Sequence, residues 1–211
     1  MLLAVAVLLV ALFGSAGRWN VPGFWAFCTL LLLAIAVAGS VIDPELAKER
    51  IRPGVGGEDR NLRWFVVPFL LAHLIVAGLD IGRFEWSPPL PTALSLIGLA
   101  LLAASLGLFL WSMHVNRFFS PVVRIQDERG HCLVTAGPYH FVRHPGYAAV
   151  IGACAGSALA LGSLWSAVPL IPPVVMILRR TIIEDRFLVE NLDGYAEFAK
   201  QTRHRWVPGV W

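Results

Sequence analysis

The stretch PGYAAVIGACAGSALALGSLWSAVPLIPPVVMIL, residues 145–178, is a run of 34 residues without a charged side chain. A helix rises about 1.5 Å per residue, so a single helix of this length would measure roughly 51 Å, whereas the hydrocarbon core of a bilayer is about 30 Å thick. The segment LGSLWS, residues 161–166, lies near the middle and is typical of a turn. We therefore expect two membrane crossings joined by a tight turn; the alternative is one tilted, broken helix.

The composition of the whole chain agrees with a membrane location. Hydrophobic residues make up 57% and charged residues 15%, with a mean hydropathy of +0.68, whereas soluble domains carry roughly 25% charged residues. Four further apolar blocks, at residues 1–17, 19–42, 64–79 and 86–115, are long enough or nearly long enough to cross a bilayer. The sequence predicts an all-α, polytopic membrane helical bundle of five to six membrane helices, forming one domain over residues 1–211.

Two of these blocks need comment. The first, residues 1–17, lacks the basic start of a signal peptide, so we interpret it as a membrane helix, with a cleaved leader as the alternative. The third, residues 64–79, contains Pro68 and His73, and the proline predicts a short, kinked helix.

Positive charges test this arrangement, because short cytoplasmic loops collect Lys and Arg. With six crossings and a cytoplasmic N terminus, fifteen of the seventeen Lys and Arg residues fall on the cytoplasmic side. Arg18 and Arg83 fall on the other side. Most of the eight tryptophans also lie near predicted span ends, where an interfacial aromatic belt is expected.

Polar side chains concentrate in two segments, residues 116–147 and 179–198. A hairpin over residues 145–178 brings both segments to the same membrane face, whereas a single crossing would separate them. We therefore divide the domain into N-terminal membrane spans, residues 1–115, and a site-bearing region, residues 116–211. We expect His73 and His114 to make contacts between helices and Asn116 to approach the site.

Each polar segment has a functional and a structural interpretation. Pro145 suits the first position of a helix, so His144 would lie at the helix entrance, where backbone N–H groups favour an anion. A capped helix start, with Arg143 reaching the lipid headgroups, explains the same residues. In the second segment, Arg180 and Glu184 are neighbours on one helical face; they form either a binding site for charged reactants or an ion pair.

Metal binding is a weaker interpretation of the same residues. His131, Cys132, His140 and His144 are ligand types, but Pro145 breaks the local helix and no carboxylate pair completes a site. The three cysteines lack the short spacing of a disulfide framework or a zinc knuckle. We expect no metal.

The two polar segments together resemble a known family. GHCLVTAGPYHFVRHPGY, residues 130–147, followed by RTIIEDRFLVENLDGYAEF, residues 180–198, is similar to the C-terminal half of the isoprenylcysteine carboxyl methyltransferase family and its bacterial relatives. The distinctive elements are a His-x-Leu-Val-Thr-x-Gly-x-Tyr segment, an Arg-His-Pro-x-Tyr motif and a downstream acidic pair. The resemblance covers roughly residues 116–208 and implies a membrane methyltransferase that uses S-adenosyl-L-methionine.

The resemblance also implies roles for individual residues. The first segment would wrap the cofactor, and the Arg-His-Pro-x-Tyr motif would hold its polar end. Arg180 corresponds to the arginine that binds the substrate carboxyl group, and Arg180 and Glu184 form the implied catalytic pair. The implied cofactor-binding residues are Gln126, His131, Cys132, Leu133, Val134, Tyr139, His144, Pro145, Gly146, Tyr147 and Glu184.

The nature of the methyl acceptor stays open at this point. A carboxylate is already nucleophilic at neutral pH, so its methylation mainly demands positioning. An amine must first lose a proton, which would give Glu184 or His144 the work of a base. We expect a carboxylate of an isoprenylcysteine-like molecule; phospholipid N-methylation and thiol S-methylation are the alternatives within the same chemistry.

Two other classes also fit parts of the sequence. Sterol reductases, which bind a nicotinamide cofactor, have a similar C-terminal region, and a non-catalytic protein could bind lipids through its basic face. We expect the partners to be a lipophilic small molecule or lipid-modified substrate and membrane lipids, with no nucleic acid. The composition, rich in Ala, Leu, Gly and Arg, suggests a prokaryotic inner membrane, with the cofactor site facing the cytoplasm.

Overall fold

The computed structural model describes residues 2–57, 59 and 62–211 and is all-helical over that part of the chain. The α-helices are α1 (Leu2–Leu9), α2 (Pro22–Val41), α3 (Pro44–Ile51), α4 (Leu62–Leu79), α5 (Thr92–Val115), α6 (Pro145–Ala160), α7 (Ile171–Asn191) and α8 (Tyr195–Gln201). Two helices continue as π-helical turns, α1 into Val10–Gly14 and α4 into Asp80–Phe84, and a 3₁₀ segment, Trp165–Leu170, leads into α7.

The apolar helices match the prediction of a polytopic bundle with five to six membrane helices. Four helical segments are long and apolar enough to cross a bilayer: Pro22–Val41, Trp64–Phe84, Thr92–Val115 and Trp165–Asn191. Two shorter apolar helices, Val5–Gly14 and Pro145–Ala160, accompany them. The chain is an integral membrane protein.

The predicted hairpin over residues 145–178 is confirmed. α6 ends at Ala160, Gly162 adopts a positive φ of 75° in the turn, and the chain returns through α7. Tyr147, at the start of α6, donates a hydrogen bond to Glu184 near the end of α7, so the two helices run antiparallel. α7 is one continuous helix to Asn191, which carries the second polar segment beyond the apolar run.

The two ends of the bundle have different chemistry. We call the end that holds the starts of α4 and α6 the site end, and the other the turn end. At the turn end, the Arg18 side chain donates to the Ile81 carbonyl and the Arg83 guanidinium lies 3.3 Å from the Cβ position of Gly17. The two arginines that the charge pattern separated from all the others therefore share this end.

A buried carboxylate fixes the hairpin turn to α4. Asp80 is fully buried and accepts hydrogen bonds from the Ser87 backbone N–H at 2.7 Å, from the Ser87 hydroxyl and from the Ser163 hydroxyl. His73, on α4, contacts the Ser166 carbonyl through Nδ1 at 2.7 Å. His73 is thus an inter-helix contact, as predicted, and its Nε2 has no hydrogen-bond partner among the described residues.

The prediction of a span over residues 86–115 was wrong at its start. Helix α5 begins at Thr92, and residues 85–91 form a connection. Pro88, Pro89 and Pro91 have no amide hydrogen to donate to a preceding turn, so the helix begins after the last of them. The chemistry of proline explains the difference.

α5 packs along α6 through small residues. An added Cβ at Gly98 would lie 2.5 Å from the backbone nitrogen of Ala160, and one at Gly156 would lie 2.7 Å from the backbone nitrogen of Leu102. These distances leave no room for a side chain at either position. Glycine therefore sets the separation of the two helices, as small residues do in other membrane bundles.

We expect Gly98→Val to destabilise the protein by about 1–3 kcal/mol, because the new side chain must push α6 away from α5. Gly107→Val is the matched control, since Gly107 lies on the same helix with no atom within 4 Å of its Cβ position. Thermal unfolding in an uncharged detergent measures both variants. Equal melting temperatures for the two would contradict the close α5–α6 contact.

Candidate active site

A cavity of about 280 Å³ opens at the site end, between the ends of α5 and α7 and the start of α6. One face of α7 lines it with Ile177, Arg180, Glu184 and Leu188, whose spacing places them along one stripe of the helix. At about 1.5 Å per residue, this stripe is roughly 16 Å long. The cavity therefore runs from an apolar inner part, through a charged middle, to an outer part beside α8.

Tyr147 connects the charged residues in the middle of the cavity. Its hydroxyl donates to Glu184 Oε2 and accepts from Arg180 Nε at 2.7 Å. Arg180 Nε lies 3.7 Å from the same carboxylate oxygen, and Arg180 is buried. Among the described residues, hydrogen bonds reach Glu184 only at Oε2, so Oε1 is available to a ligand in the cavity.

Asp59 supplies a second carboxylate to Arg180. Its Oδ2 lies 2.6 Å from Arg180 Nη1, and its Oδ1 accepts from the Val123 N–H at 2.9 Å. The contact with Arg180 is an ion pair without aligned hydrogen-bond geometry, because Oδ2 has no donor within the described part of the chain. An external anion could replace a carboxylate held in this way more easily than a bidentate one.

Asp185 has the opposite role to its neighbour Glu184. Arg143 donates hydrogen bonds to it from Nε and Nη2, both at 2.8 Å, and His144 Nε2 lies 3.1 Å from Oδ1. The Tyr195 hydroxyl donates to Asp185 at 2.9 Å and Arg205 Nε at 3.0 Å. Asp185 is buried and bonded to four side chains, so Glu184 is the member of the acidic pair that lines the cavity.

The C-terminal segment completes this network. The backbone N–H groups of Arg143 and His144 donate to the carbonyls of His204 and Arg205 at 3.0 and 2.8 Å, and Arg143 Nη1 donates to the Thr202 carbonyl at 2.8 Å. Arg143 is therefore buried beneath the tail and does not reach the lipid headgroups. Burial alone would lower the pKa of Arg143. Together, the hydrogen bonds that Arg143 donates to Asp185 and the interactions with nearby charges have the larger effect, so its pKa is raised.

The loop before α6 forms the outer wall. The His131 ring packs at a tilt against the Phe118 ring, with ring centroids 4.5 Å apart, and its Nδ1 accepts from the Gln126 N–H at 3.3 Å. Burial lowers the pKa of His131. Tyr139, at the end of this loop, is buried, and that burial raises the pKa of its hydroxyl.

Ten of the twelve residues that sequence reasoning assigned to the site line the cavity. Gln126 and Pro145 lie behind it: Gln126 is fully buried and donates to the Phe118 carbonyl at 2.7 Å. Asn116 also lines the cavity, as predicted. The ten are His131, Cys132, Leu133, Val134, Tyr139, His144, Gly146, Tyr147, Arg180 and Glu184.

Comparison with known proteins identifies the region that carries this cavity. Residues 94–193 match the phospholipid methyltransferase family. That region belongs to this family. The match overlaps the stretch between residues 116 and 208 in which the sequence resembles membrane methyltransferases.

One curated relative supports the assignment over a longer stretch. The chain is 33% identical over 145 residues to the cobalt-zinc-cadmium resistance protein CzcN of Cupriavidus metallidurans. The similarity covers 65% of this chain and 58% of that protein. The chain therefore spans less than two thirds of its relative's length. In the described part of the chain, no three His, Cys, Asp or Glu side chains converge as metal ligands.

The N-terminal half of the chain contributes two residues to the site that sequence reasoning missed, one that lines the cavity and one that pairs with a cavity residue. Arg50 on α3 lines the cavity, and Asp59 reaches Arg180 from the connection between α3 and α4. Both lie in a charged segment whose composition is typical of a solvated connector. The segment is outside residues 94–193, which match the family. A buried ion pair between Glu49 and Arg124, at 2.9 Å, anchors α3 to the segment after α5. No motif in the sequence signals this long-range pair.

We expect Asp185→Asn to destabilise the protein by roughly 3–5 kcal/mol, because Arg143 would lose its counter-charge in a buried position. Asp193→Asn, at an exposed position near the same helix end, is the control and should change little. Thermal unfolding in detergent compares the two. A melting temperature for Asp185→Asn equal to that of Asp193→Asn would show that the network is not structural.

Proposed function

We propose that this protein transfers a methyl group from S-adenosyl-L-methionine to a carboxylate of a lipophilic, isoprenylcysteine-like acceptor. The observation that carries the proposal is the arrangement along α7: a charged pair, Arg180 and Glu184, lies between an apolar inner wall and an outer wall of loop and tail residues. One cavity thus offers separate places for a membrane-borne molecule and a water-borne one.

The outer part of the cavity suits the cofactor. Glu184 lines the cavity, its Oε1 has no donor from the described residues, and a carboxylate in that state favours a cation. S-adenosyl-L-methionine carries a sulfonium and an ammonium group, and it supplies the electrophilic methyl group when bound. His131, Leu133 and Tyr139 provide apolar and aromatic surface for an adenosine group beside that charge.

The inner part of the cavity suits an apolar chain. Its walls come from four membrane helices, α4 through Val66, α5 through Phe109, α6 through Val150 and α7 through Ile177. An acceptor with an isoprenyl or acyl chain could enter between these helices from the bilayer and bury that chain. Its polar end would then lie beside Arg180.

The chemistry requires little beyond orientation. The acceptor oxygen forms a bond to the methyl carbon as the carbon–sulfur bond breaks, and a carboxylate loses no proton in this step. We assign to Arg180 the alignment of the acceptor carboxylate, which would take the place of Asp59, and to Glu184 the alignment of the cofactor. Half-buried Tyr147 fixes the two relative to each other, and this preorganisation lowers the barrier.

Phospholipid N-methylation is the second candidate. The family description favours it, and the carboxylates of Asp59 and Glu184 could bind an ammonium group. Glu184 would then also act as the base that removes a proton. A nicotinamide-dependent reduction has no such support, because the matched family is one of methyltransferases.

An assay with methyl-labelled cofactor and membrane lipids or prenylcysteine analogues tests the proposal. Mild alkali releases labelled methanol from a methyl ester, whereas N-methyl and S-methyl products keep their label. Alkali-labile label is the expected result. Stable label in a phospholipid fraction would establish the second candidate, and an absence of transfer by folded protein that also fails to bind S-adenosylhomocysteine would overturn both.

Substitution of the glutamate probes the cofactor half. We expect Glu184→Gln to weaken S-adenosylhomocysteine binding by about 10-fold or more, because a neutral amide loses the charge-assisted contact. The control is Glu190→Gln, an exposed position on the same helix. Isothermal calorimetry on purified protein in detergent measures both. Equal affinities would remove Glu184 from the cofactor site.

Substitution of the arginine probes the acceptor half. We expect Arg180→Ala to lower methyl transfer by roughly 100-fold while S-adenosylhomocysteine affinity changes by less than about 3-fold, since Arg180 acts on the acceptor. Arg179→Ala, the exposed neighbour, should behave like the parent protein. If Arg180→Ala instead reduced affinity and transfer equally, the residue would be a structural partner of Glu184.

A further inference from the structure

Arg50 occupies an unusual position at the end of α3. The preceding residue, Glu49, is buried and holds Arg124 through Nε at 3.1 Å and Nη2 at 2.9 Å, and it accepts from the Ser120 hydroxyl at 2.8 Å. Three hydrogen bonds thus fix α3 against the segment that follows α5. Arg50, one residue later, lines the cavity in a defined position.

The guanidinium of Arg50 is held by aromatic rings and pairs with no carboxylate of the described residues. It lies 5.3 Å from the ring centroid of Phe119 and 5.6 Å from that of Phe109, and Nη1 donates to the Phe119 carbonyl at 3.2 Å. Within the part of the chain that the structure describes, no carboxylate lies within ion-pair distance of it. Burial and the charge of Arg180 lower the pKa of Arg50.

The rings that hold Arg50 are themselves fixed. Phe109 and Phe119 meet edge to face, with centroids 5.6 Å apart. A Cβ at Gly146 would lie 2.4 Å from the Phe119 ring, so the ring rests directly on the backbone at the start of α6. Aromatic faces attract the guanidinium but do not neutralise it. A partly buried cation is thus held in place without a compensating charge from residues 2–57, 59 and 62–211, which is the arrangement of an anion receptor.

Arg180 differs from Arg50 in this respect. Asp59 and Glu184 lie 2.6 and 3.7 Å from it, so its charge is already balanced. Of the two cavity arginines, Arg50 is therefore the one that an incoming anion can meet without displacing a carboxylate. Val66 and Ile177 line the same cavity, so an anion at Arg50 could carry an apolar chain.

We propose that Arg50 supplies the charge that draws the anionic group, a carboxylate or a phosphate, of a membrane-borne amphiphile to its place beside Arg180, and that the apolar chain of this amphiphile lies along the inner wall of the cavity. The amphiphile is the methyl acceptor, so the inference rests on the proposed function and narrows it to acidic or phosphate-bearing acceptors. The N-terminal half of the chain, outside the family match, thereby selects the acceptor.

Binding of four tetradecyl probes to the full chain in an uncharged detergent tests this. The probes are tetradecanoate, tetradecyl phosphate, tetradecylamine and tetradecanol, measured by calorimetry below their micelle concentrations. We expect the parent protein to bind one or both anions at least about 10-fold more tightly than the alcohol and the amine, and the preferred anion identifies the headgroup class. Arg50→Gln should remove that preference.

Lys48→Gln is the matched control, because Lys48 is an exposed cation on the same helix. It should keep the parent preference, which excludes a general surface attraction for anions. Arg50→Lys should restore part of the preference through charge alone. S-adenosylhomocysteine affinity, expected to be unchanged in every variant, reports that the protein is folded and tests the methyltransferase assignment separately.

Three results would overturn the inference: equal binding of anion, amine and alcohol by the parent; an Arg50→Gln variant that keeps the anion preference; or an equal loss in Lys48→Gln. Any of these together with intact S-adenosylhomocysteine binding would leave the proposed function standing. If instead the parent fails to bind S-adenosylhomocysteine but shows an Arg50-dependent anion preference, the anion site stands and the methyl-transfer proposal fails.

Discussion

The bidentate ion pair between Arg143 and Asp185 is the interaction on which the rest of the site end depends. It joins the start of α6 to α7 across 42 residues of chain, and the same carboxylate also binds Tyr195 and Arg205. An ion pair of this kind is useful less for net stability than for the single arrangement that it enforces, because any other packing would bury an unpaired charge. With His144 fixed on Asp185, the neighbouring residues Tyr147 and Glu184 meet inside the cavity.

The site divides its work between two parts of the chain. The family region, residues 94–193, brings Tyr147, Arg180 and Glu184 together on the hairpin. The N-terminal half adds α3 through the Glu49–Arg124 pair. In that pair the hydrogen bonds from Arg124, Ser120 and Gly54 outweigh the effect of burial and lower the pKa of Glu49. In the proposed function, residues 94–193 would hold the reacting groups, and α3 would form a separate wall that contacts the acceptor.

The sequence predicted most of the fold because the bilayer restricts what an apolar run can form. A run of 34 residues is too long for one straight crossing, which favoured a hairpin. A hairpin, in turn, brings the two polar segments to the same membrane face. The separate roles of Glu184 and Asp185 could not be predicted, since adjacent acids on a helix look alike until their directions are known. Arg50 and Asp59 were missed for another reason: a charged connector looks the same whether it is solvated or folded over a cavity, and long-range partners such as Arg124 carry no local pattern.

α6 is short for a membrane helix. Its 16 residues span about 24 Å, several ångströms less than a typical hydrocarbon core. A hydrophobic segment that is too short for its bilayer is accommodated by local thinning, by flanking residues that reach the interface or by association with neighbouring helices. α6 packs against α5, which has 24 residues, so the two neighbours differ in length by about 12 Å. In the proposed function, this mismatch would make the acyl-chain length of the host bilayer a variable of the reaction.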